Sequence, residues 1–215
     1  LHDMGKYTLA FARYIEQASR DESVRRGSVN HTFAGARFAL ERWHTQPSGS
    51  LRDLTSELIA LAAGSHHGQF DCIDEDGKDG YQHRQTAADI GYGEAKAAFL
   101  SRCATEAELD TLFMAAVEEM AQAMERFRPI AGTDEEMLFQ YAMLSRQILS
   151  AVIDGDRRDT AEFCLGISIP HQVKEESALW QRCLRKVENR LQSFTDESEI
   201  NRARRTISDR CKAAA

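Results

Sequence analysis

Apolar residues recur every three or four positions along most of the chain, whereas strict alternation of apolar and polar residues is scarce. Because this spacing puts apolar side chains on one face of a helix, the pattern predicts an all-α fold. The clearest helix begins at a capping box formed by Thr105 and Glu108 and ends before Pro129. We expect four apolar stripes in the second half of the chain to face inward, over residues 109–127, 134–152, 180–194 and 200–211.

The first half of the chain predicts two shorter helices followed by a polar stretch. Their apolar residues span Phe33–Trp43 and Leu54–Leu61, and Gly64 is expected to end the second helix in a left-handed cap. Residues 64–93 contain six of the thirteen glycines and several aspartates. That composition is typical of a long loop or insertion.

One acidic segment, DEDGKDG, invites comparison with calcium-binding loops. An EF-hand loop closes with a glutamate at its twelfth position, and counting from Asp74 that position is Gln85. We therefore do not expect a calcium site in this segment.

Composition places the chain among globular proteins that fold in water. Of its 215 residues 42% are hydrophobic and 28% charged, and no apolar run approaches the roughly eighteen residues that span a bilayer. The start lacks a signal peptide and the five cysteines include no CxxC pair, so we expect reduced thiols in the cytoplasm and no membrane partner. The chain starts at Leu1 and stops in three alanines, so both ends are expected to be cut from a longer chain.

The charges are unevenly distributed. The net charge of −7 argues against nucleic acid coating the whole surface. Residues 174–215 carry ten basic and seven acidic side chains, against 17 and 27 in residues 1–173. The C-terminal segment alone is therefore suited to meet phosphate.

The side chains best suited to chemistry are histidines and aspartates in short motifs. Imidazole nitrogens and carboxylate oxygens are ligands for manganese, nickel, cobalt, iron and zinc, and a carboxylate can bridge two metals. The set favours two divalent transition metal ions, and its histidines make magnesium less suitable. The candidate ligands are His2, Asp3, His31, His66, His67 and one of Asp154 and Asp156.

Helical phase also suggests a role for Lys6. If residues 1–14 are helical, Lys6 lies one turn from both His2 and Asp3. Its ammonium then points toward the open side of the metals, where it can neutralise a phosphate.

Helical phase separates the two late aspartates. Asp156 continues the inward stripe of its helix, whereas Asp154 points away by about 200°. Asp156 is therefore the preferred ligand, unless Gly155 breaks the helix and exchanges the two.

In this order, the motifs resemble those of the HD phosphohydrolase superfamily. Within it, the chain is most similar to the HD nuclease domain of the type I CRISPR-associated nuclease-helicase. The similar segments are HDMGKYTLAF, NHTFAGARFAL, AGSHHG and SRQILSAVIDGDRRDT. The segment NRARRTISDRC also resembles the helix through which that family leads into its helicase part.

The resemblance implies an HD-domain helical bundle with a metal site in its centre, formed by residues 1–173. Residues 174–215 would be helices that lead toward a helicase part. The implied activity is that of a metal-dependent phosphodiesterase, an endonuclease that cuts single-stranded DNA in CRISPR antiviral defence. Its partners would be the helicase domain, in the same or a companion chain, and a CRISPR surveillance complex.

The resemblance also implies how the ligands are shared. One metal would take His2, Asp3 and Asp156, and the other Asp3, His31, His66 and His67, so that Asp3 bridges. Asp3 and Lys6 would be the catalytic residues. The family usually supplies a further histidine before the first motif, and none precedes Leu1, so the first metal is expected to be one ligand short.

Two other readings of the sequence stay open. One is a phosphohydrolase that acts on a small nucleotide, which would require a closed pocket. The other is a catalytically silent, metal-stabilised module that docks to a helicase or a surveillance complex. Cleavage assays with single-stranded DNA, duplex DNA and nucleotide would separate these readings from the nuclease.

Overall fold

A computed structural model describes residues 1–20, 23–25, 28–45, 49–68, 73, 77–169, 176–195 and 198–213. Within these ranges the chain is helical and has no strand beyond an isolated bridge between Ile73 and Asp79, which confirms the all-α prediction. Residues 74–76 of the acidic segment and His171 lie outside the described residues.

The chain forms two compact units, Leu1–Gly166 and Ile167–Ala215. The first begins with a 3-10 turn, Met4–Tyr7, and includes a second at Ala88–Ile90. Its helices in the described ranges are α1 (Leu9–Ala18), α2 (Ala34–Trp43), α3 (Leu51–Ser65), α4 (Gly80–Thr86), α5 (Tyr92–Arg102), α6 (Glu106–Phe127) and α7 (Asp134–Leu165). The second unit contains α8 (Glu176–Gln192) and α9 (Glu199–Ala213).

Capping boxes determine where three of these helices begin. At α6 the Thr105 side chain accepts a hydrogen bond from the backbone N–H of Glu108, whose carboxylate accepts one from the backbone N–H of Thr105. This confirms the predicted capping box. Equivalent capping boxes begin α7 at Thr133 and α3 at Ser50. Each capping box satisfies backbone N–H groups that have no hydrogen-bond partner within the helix.

The core of the first unit lies around α2 and α3, which pack along each other. Both helices bury alanines, namely Ala34, Ala36 and Ala39 in α2 and Ala60, Ala62 and Ala63 in α3. The ring of Trp43 at the end of α2 stacks on Phe113 of α6 with 4.4 Å between centroids. Helix α3 also contacts α6 and α7, and the Tyr141 hydroxyl of α7 donates to the carbonyl of Leu54 at 2.9 Å. The N-terminal 3-10 turn packs against α5.

Two local expectations are wrong in the polar stretch. Helix α3 runs through Gly64 without a left-handed cap, and a Cβ there would lie 3.1 Å from the Phe33 ring, so packing accounts for this glycine. Part of residues 64–93 is helical, since α4 begins where the Asp79 side chain accepts a hydrogen bond from the backbone N–H of Gln82. Tyr81 of α4 packs edge-on against Phe33, which gives this short helix a partner.

The predicted apolar stripes are only partly buried. Phe113 and Met120 of α6 are buried as expected, whereas Leu112 is exposed. In the second unit Trp180 is 64% exposed and Ile207 is 61% exposed, so the expectation that these stripes face inward is wrong. Within the described residues of this unit, each of the two helices has one other helix of the same unit to pack against. No helix in the described parts of the chain is both long and apolar enough to cross a membrane.

Candidate metal centre

The first motif lies at the start of the N-terminal 3-10 turn. The backbone N–H of Lys6 donates to the carbonyl of Asp3 at 2.9 Å, and the turn ends at Thr8, whose side chain caps α1. Residues 1–14 are therefore not one helix, because the extended backbone of Thr8 separates the turn from α1. The turn nevertheless brings Nζ of Lys6 to 2.7 Å from Oδ1 of Asp3.

The remaining histidines come from the ends of other elements. His31 lies in the loop before α2, and His66 and His67 follow the last residue of α3. The ring of Phe11 in α1 packs beside His31 at 4.9 Å between centroids. Because α2 and α3 pack together, the loop before one helix meets the end of the other.

Backbone carbonyls determine which ring nitrogens of His31 and His66 are turned toward the cluster. Nδ1 of His66 is 2.7 Å from the carbonyl of Ala63, and Nδ1 of His31 is 3.2 Å from that of Val29. A carbonyl only accepts, so each Nδ1 must carry the proton. The lone pair of Nε2 is thereby left for another partner, as in many metal-bound histidines.

The predicted ligands gather into two groups whose donor atoms lie within 4.8 Å of one another. One group comprises His31, His66 and His67, and the other comprises His2, Asp3 and Asp156. In the first, Nε2 of His31 is 2.9 Å from Nε2 of His67. In the second, Nε2 of His2 is 3.7 Å from Oδ1 of Asp156.

Asp3 lies between the two groups. Its Oδ2 is 3.4 Å from Nε2 of His2, and its Oδ1 is 3.9 Å from Nε2 of His66. The two oxygens of one carboxylate thus face different groups. This is the arrangement that a bridging carboxylate requires.

The environment favours neutral His31 and His66 and an ionised Asp3. Burial lowers the pKa of His66 to about 4 and also lowers the pKa of His31. Burial alone would raise the pKa of Asp3, but hydrogen bonds from His2 and Lys6 and the positive charge of Lys6 hold that pKa well below its usual range. Neutral imidazoles and an ionised carboxylate are the forms that bind metals.

The two late aspartates occupy different environments. Helix α7 continues unbroken through Gly155, so the helical phase assumed from the sequence holds there. Asp156 is half-buried beside His2, whereas Asp154 is exposed. The structure therefore brings Asp156, and not Asp154, into the cluster.

The donor set fits divalent metal ions. Nε2 of His66 is buried and has no hydrogen-bond partner within the described residues, which is costly unless another group binds it. The Nε2 atoms of His31 and His67 are 2.9 Å apart, so two imidazole nitrogens that could bind a metal meet at one point beside His66. Three imidazoles suit transition metals, while one imidazole and two carboxylates accept harder ions as well.

Comparison with protein families agrees with this geometry. The model of a family described as Cas3, HD domain, matches residues 1–152. The chain belongs to the Cas3 HD domain family. The match includes every predicted ligand except the late aspartate, since Asp156 and the alternative Asp154 both lie beyond residue 152. No curated protein and no solved structure gave a significant match.

Membership in the Cas3 HD family implies a metal-dependent nuclease role in CRISPR, with nucleic acid as the substrate. HD domains bind divalent metals, and the two groups of histidines and aspartates are the candidate sites in this member. Sequence reasoning did not identify the residues that orient the ligands, namely Phe11 and the carbonyls of Val29 and Ala63. Backbone carbonyls that accept hydrogen bonds cannot be recognised from the sequence, because every residue has a backbone carbonyl.

Proposed function

We propose that the chain cuts single-stranded DNA during type I CRISPR interference by phosphodiester hydrolysis at two divalent metal ions. The observation that carries this proposal is Asp3, whose two oxygens face two separate ligand groups. Two bound ions would activate water and neutralise charge on the scissile phosphate. Manganese, nickel, cobalt, iron and zinc all suit these ligands, and magnesium suits them less.

The chain's own residues have distinct roles in this proposal. His31, His66 and His67 would hold one ion, His2 and Asp156 the other, and Asp3 both. Lys6 would bind a phosphate oxygen, because its ammonium lies beside the cluster and its side chain is about one-third exposed. No side chain needs to act as a nucleophile.

Partial exposure of the site supports a polymeric substrate. His67 is exposed, and the side chains of His2, Asp3 and Lys6 are each about one-third exposed. A DNA backbone can approach such a site from the surface, whereas a small nucleotide would favour an enclosed pocket. A single strand bends into the site more easily than a duplex. We further propose that residues 1–173 form the nuclease and that residues 174–215 lead toward a helicase part, which delivers the strand from a CRISPR surveillance complex.

Purified protein incubated with manganese or nickel tests the proposal. We expect cleavage of circular single-stranded DNA, little cleavage of duplex DNA and none of mononucleotides. Asp3→Ala should abolish cleavage without unfolding the chain, whereas Asp89→Ala, at an exposed carboxylate, should leave cleavage intact. Retained activity in Asp3→Ala would contradict the two-metal proposal, and preferential hydrolysis of nucleotides would favour the other phosphohydrolase reading.

A further inference from the structure

Gly5, two residues after Asp3, lies against the backbone of His31. A Cβ at Gly5 would be 2.1 Å from the carbonyl oxygen of His31 and 2.5 Å from its Cα. Separations this short do not occur, and a backbone neighbour cannot rotate away as a side chain can. Any side chain at Gly5 would therefore push the segment of His31 away from that of Asp3.

Gly35, four residues after His31, makes the reciprocal contact. A Cβ there would be 2.0 Å from the carbonyl oxygen of Leu1 and 2.7 Å from its carbonyl carbon. Residue 5 thus contacts residue 31 while residue 35 contacts residue 1, so the two segments run beside each other in opposite directions. His2 and Asp3 belong to the contact region between the two glycines.

Gly5 and Gly35 lie where there is no room for a side chain, and not where the backbone conformation requires glycine. Neither has the positive φ that favours glycine, in contrast to Gly91 and Gly166. The absence of a side chain at Gly5 and Gly35 allows direct backbone contact between two segments that carry ligands. The separation between these segments is consequently determined at these two points.

We infer that Gly5 and Gly35 are positioning residues, each serving a different ligand group. Gly5 sets the position of His31 and hence of the group formed with His66 and His67. Gly35 sets the position of Leu1 and hence of the adjacent His2 in the other group. This inference rests on the proposed binding of metal at both groups.

A purely structural role for these glycines would have a different consequence. Loss of packing alone would lower stability and weaken metal binding at both groups to a similar extent. Separate positioning roles predict instead that each alanine variant mainly weakens one group. The relative affinity of the two groups therefore distinguishes the two explanations, independently of any change in unfolding temperature.

The test is a manganese titration of metal-free protein by calorimetry, with nuclease activity measured separately. His67→Ala and Asp156→Asn identify which binding phase belongs to which group. We expect Gly5→Ala to weaken manganese binding at the three-histidine group, the phase that His67→Ala removes, by about tenfold or more. We expect Gly35→Ala to weaken binding at the other group, the phase that Asp156→Asn removes, by a similar factor. Gly93→Ala is the matched control, since a Cβ there meets nothing within 4 Å.

The outcomes separate this inference from the proposed function. Equal weakening of both phases, or no weakening in either variant, would overturn the positioning roles. A wild-type protein that binds no manganese, nickel or cobalt would instead overturn the proposed function.

A milder variant covers the case in which Gly5→Ala does not fold. A Cβ at Gly64 would meet the Phe33 ring at 3.1 Å, and Phe33 follows His31 by two residues. Because a ring can shift, Gly64→Ala should weaken the three-histidine phase by a smaller factor. If that phase is unchanged in a folded Gly64→Ala protein, the inference fails for this segment.

Discussion

At the scale of single residues, hydrogen bonds to the backbone determine what each histidine can do. The carbonyl of Ala63 accepts a hydrogen bond from Nδ1 of His66, so Nε2 faces the cluster. Among the residues that the structure describes, none makes a hydrogen bond to this Nε2. His44 contrasts with it, because its Nε2 lies 2.9 Å from a carboxylate oxygen of Glu57. Two histidines of the same chain therefore have different expected roles: His66 is a candidate metal ligand, and His44 makes a hydrogen bond to a carboxylate.

This contrast predicts the effect of histidine substitutions. His66→Ala and His67→Ala should each lower metal affinity at least about tenfold and reduce cleavage, because each removes a donor from the three-histidine group. His44→Ala and His83→Ala should change neither. Metal analysis and a cleavage assay measure both quantities, and similar losses in all four variants would show that the ligand assignment is wrong.

The two late aspartates give a second prediction at this scale. Asp156→Asn should reduce cleavage at least about tenfold more than Asp154→Asn, since only Asp156 lies within reach of His2. The change is nearly isosteric, so equal unfolding temperatures would show that folding is not the cause. The reverse ranking would mean that Asp154 is the ligand in solution.

At the scale of secondary-structure elements, a network of ion pairs and hydrogen bonds connects α2 to α6. Arg42 of α2 donates to both carboxylate oxygens of Asp110 in α6, at 2.7 and 2.6 Å, and also to Glu106 at 2.8 Å. The indole N–H of Trp43 adds a bond of 2.9 Å to Asp110. Forked contacts of this kind are stronger than ordinary surface ion pairs.

The network predicts a pH-dependent contribution to stability. Hydrogen bonds from Arg42 and then Trp43 lower the pKa of Asp110 to about 2, below the value of about 3.9 expected in the unfolded chain. The network should therefore stabilise the fold above about pH 4 and lose this effect as the pH falls toward 2.

Comparison of Asp110→Asn with the wild type measures this contribution. We expect the variant to lose about 1 kcal/mol of unfolding free energy at pH 7, since the pair is partly exposed, and the difference should shrink below about pH 4. Denaturant unfolding of metal-free protein avoids titration of the metal ligands, and Asp89→Asn is the control. A difference that stays constant down to pH 2.5 would contradict this account.

At the scale of the whole molecule, the ligands come from segments far apart in the chain. His2 and Asp156 are separated by most of the first unit, and the loop before α2 and the end of α3 supply the remaining histidines. A bound metal pair would therefore connect the start, middle and end of that unit. Binding only to the folded state would stabilise it.

Removal of metal should consequently lower the unfolding temperature. A metal concentration of about 100 times Kd contributes about 2.7 kcal/mol, which corresponds to roughly 5–10 °C for a chain of this size. Thermal scans with manganese and with a chelator measure this shift. Asp3→Ala should show little of it, and an equal shift in that variant would indicate that the ions bind elsewhere.

The division into two units predicts the effect of truncation. A chain that ends at residue 173 contains the whole of Leu1–Gly166, so it should fold and keep its metal affinity within about twofold. Metal titration of the truncated protein provides the measurement. Loss of metal binding on truncation would show that the second unit is needed for the site and would contradict the proposed domain boundary.

The sequence alone determined the helical class, the capping box at Thr105 and the set of candidate ligands, because each depends on residue type and short spacing. Asp156 could be preferred over Asp154 in advance for the same reason, since helical phase is a local property. Tertiary structure decided that Gly64 serves packing, that Trp180 lies exposed, and that His66 presents Nε2 to the cluster. Each of those features depends on which residues from distant parts of the chain pack against the residue in question. A local sequence pattern does not contain that information.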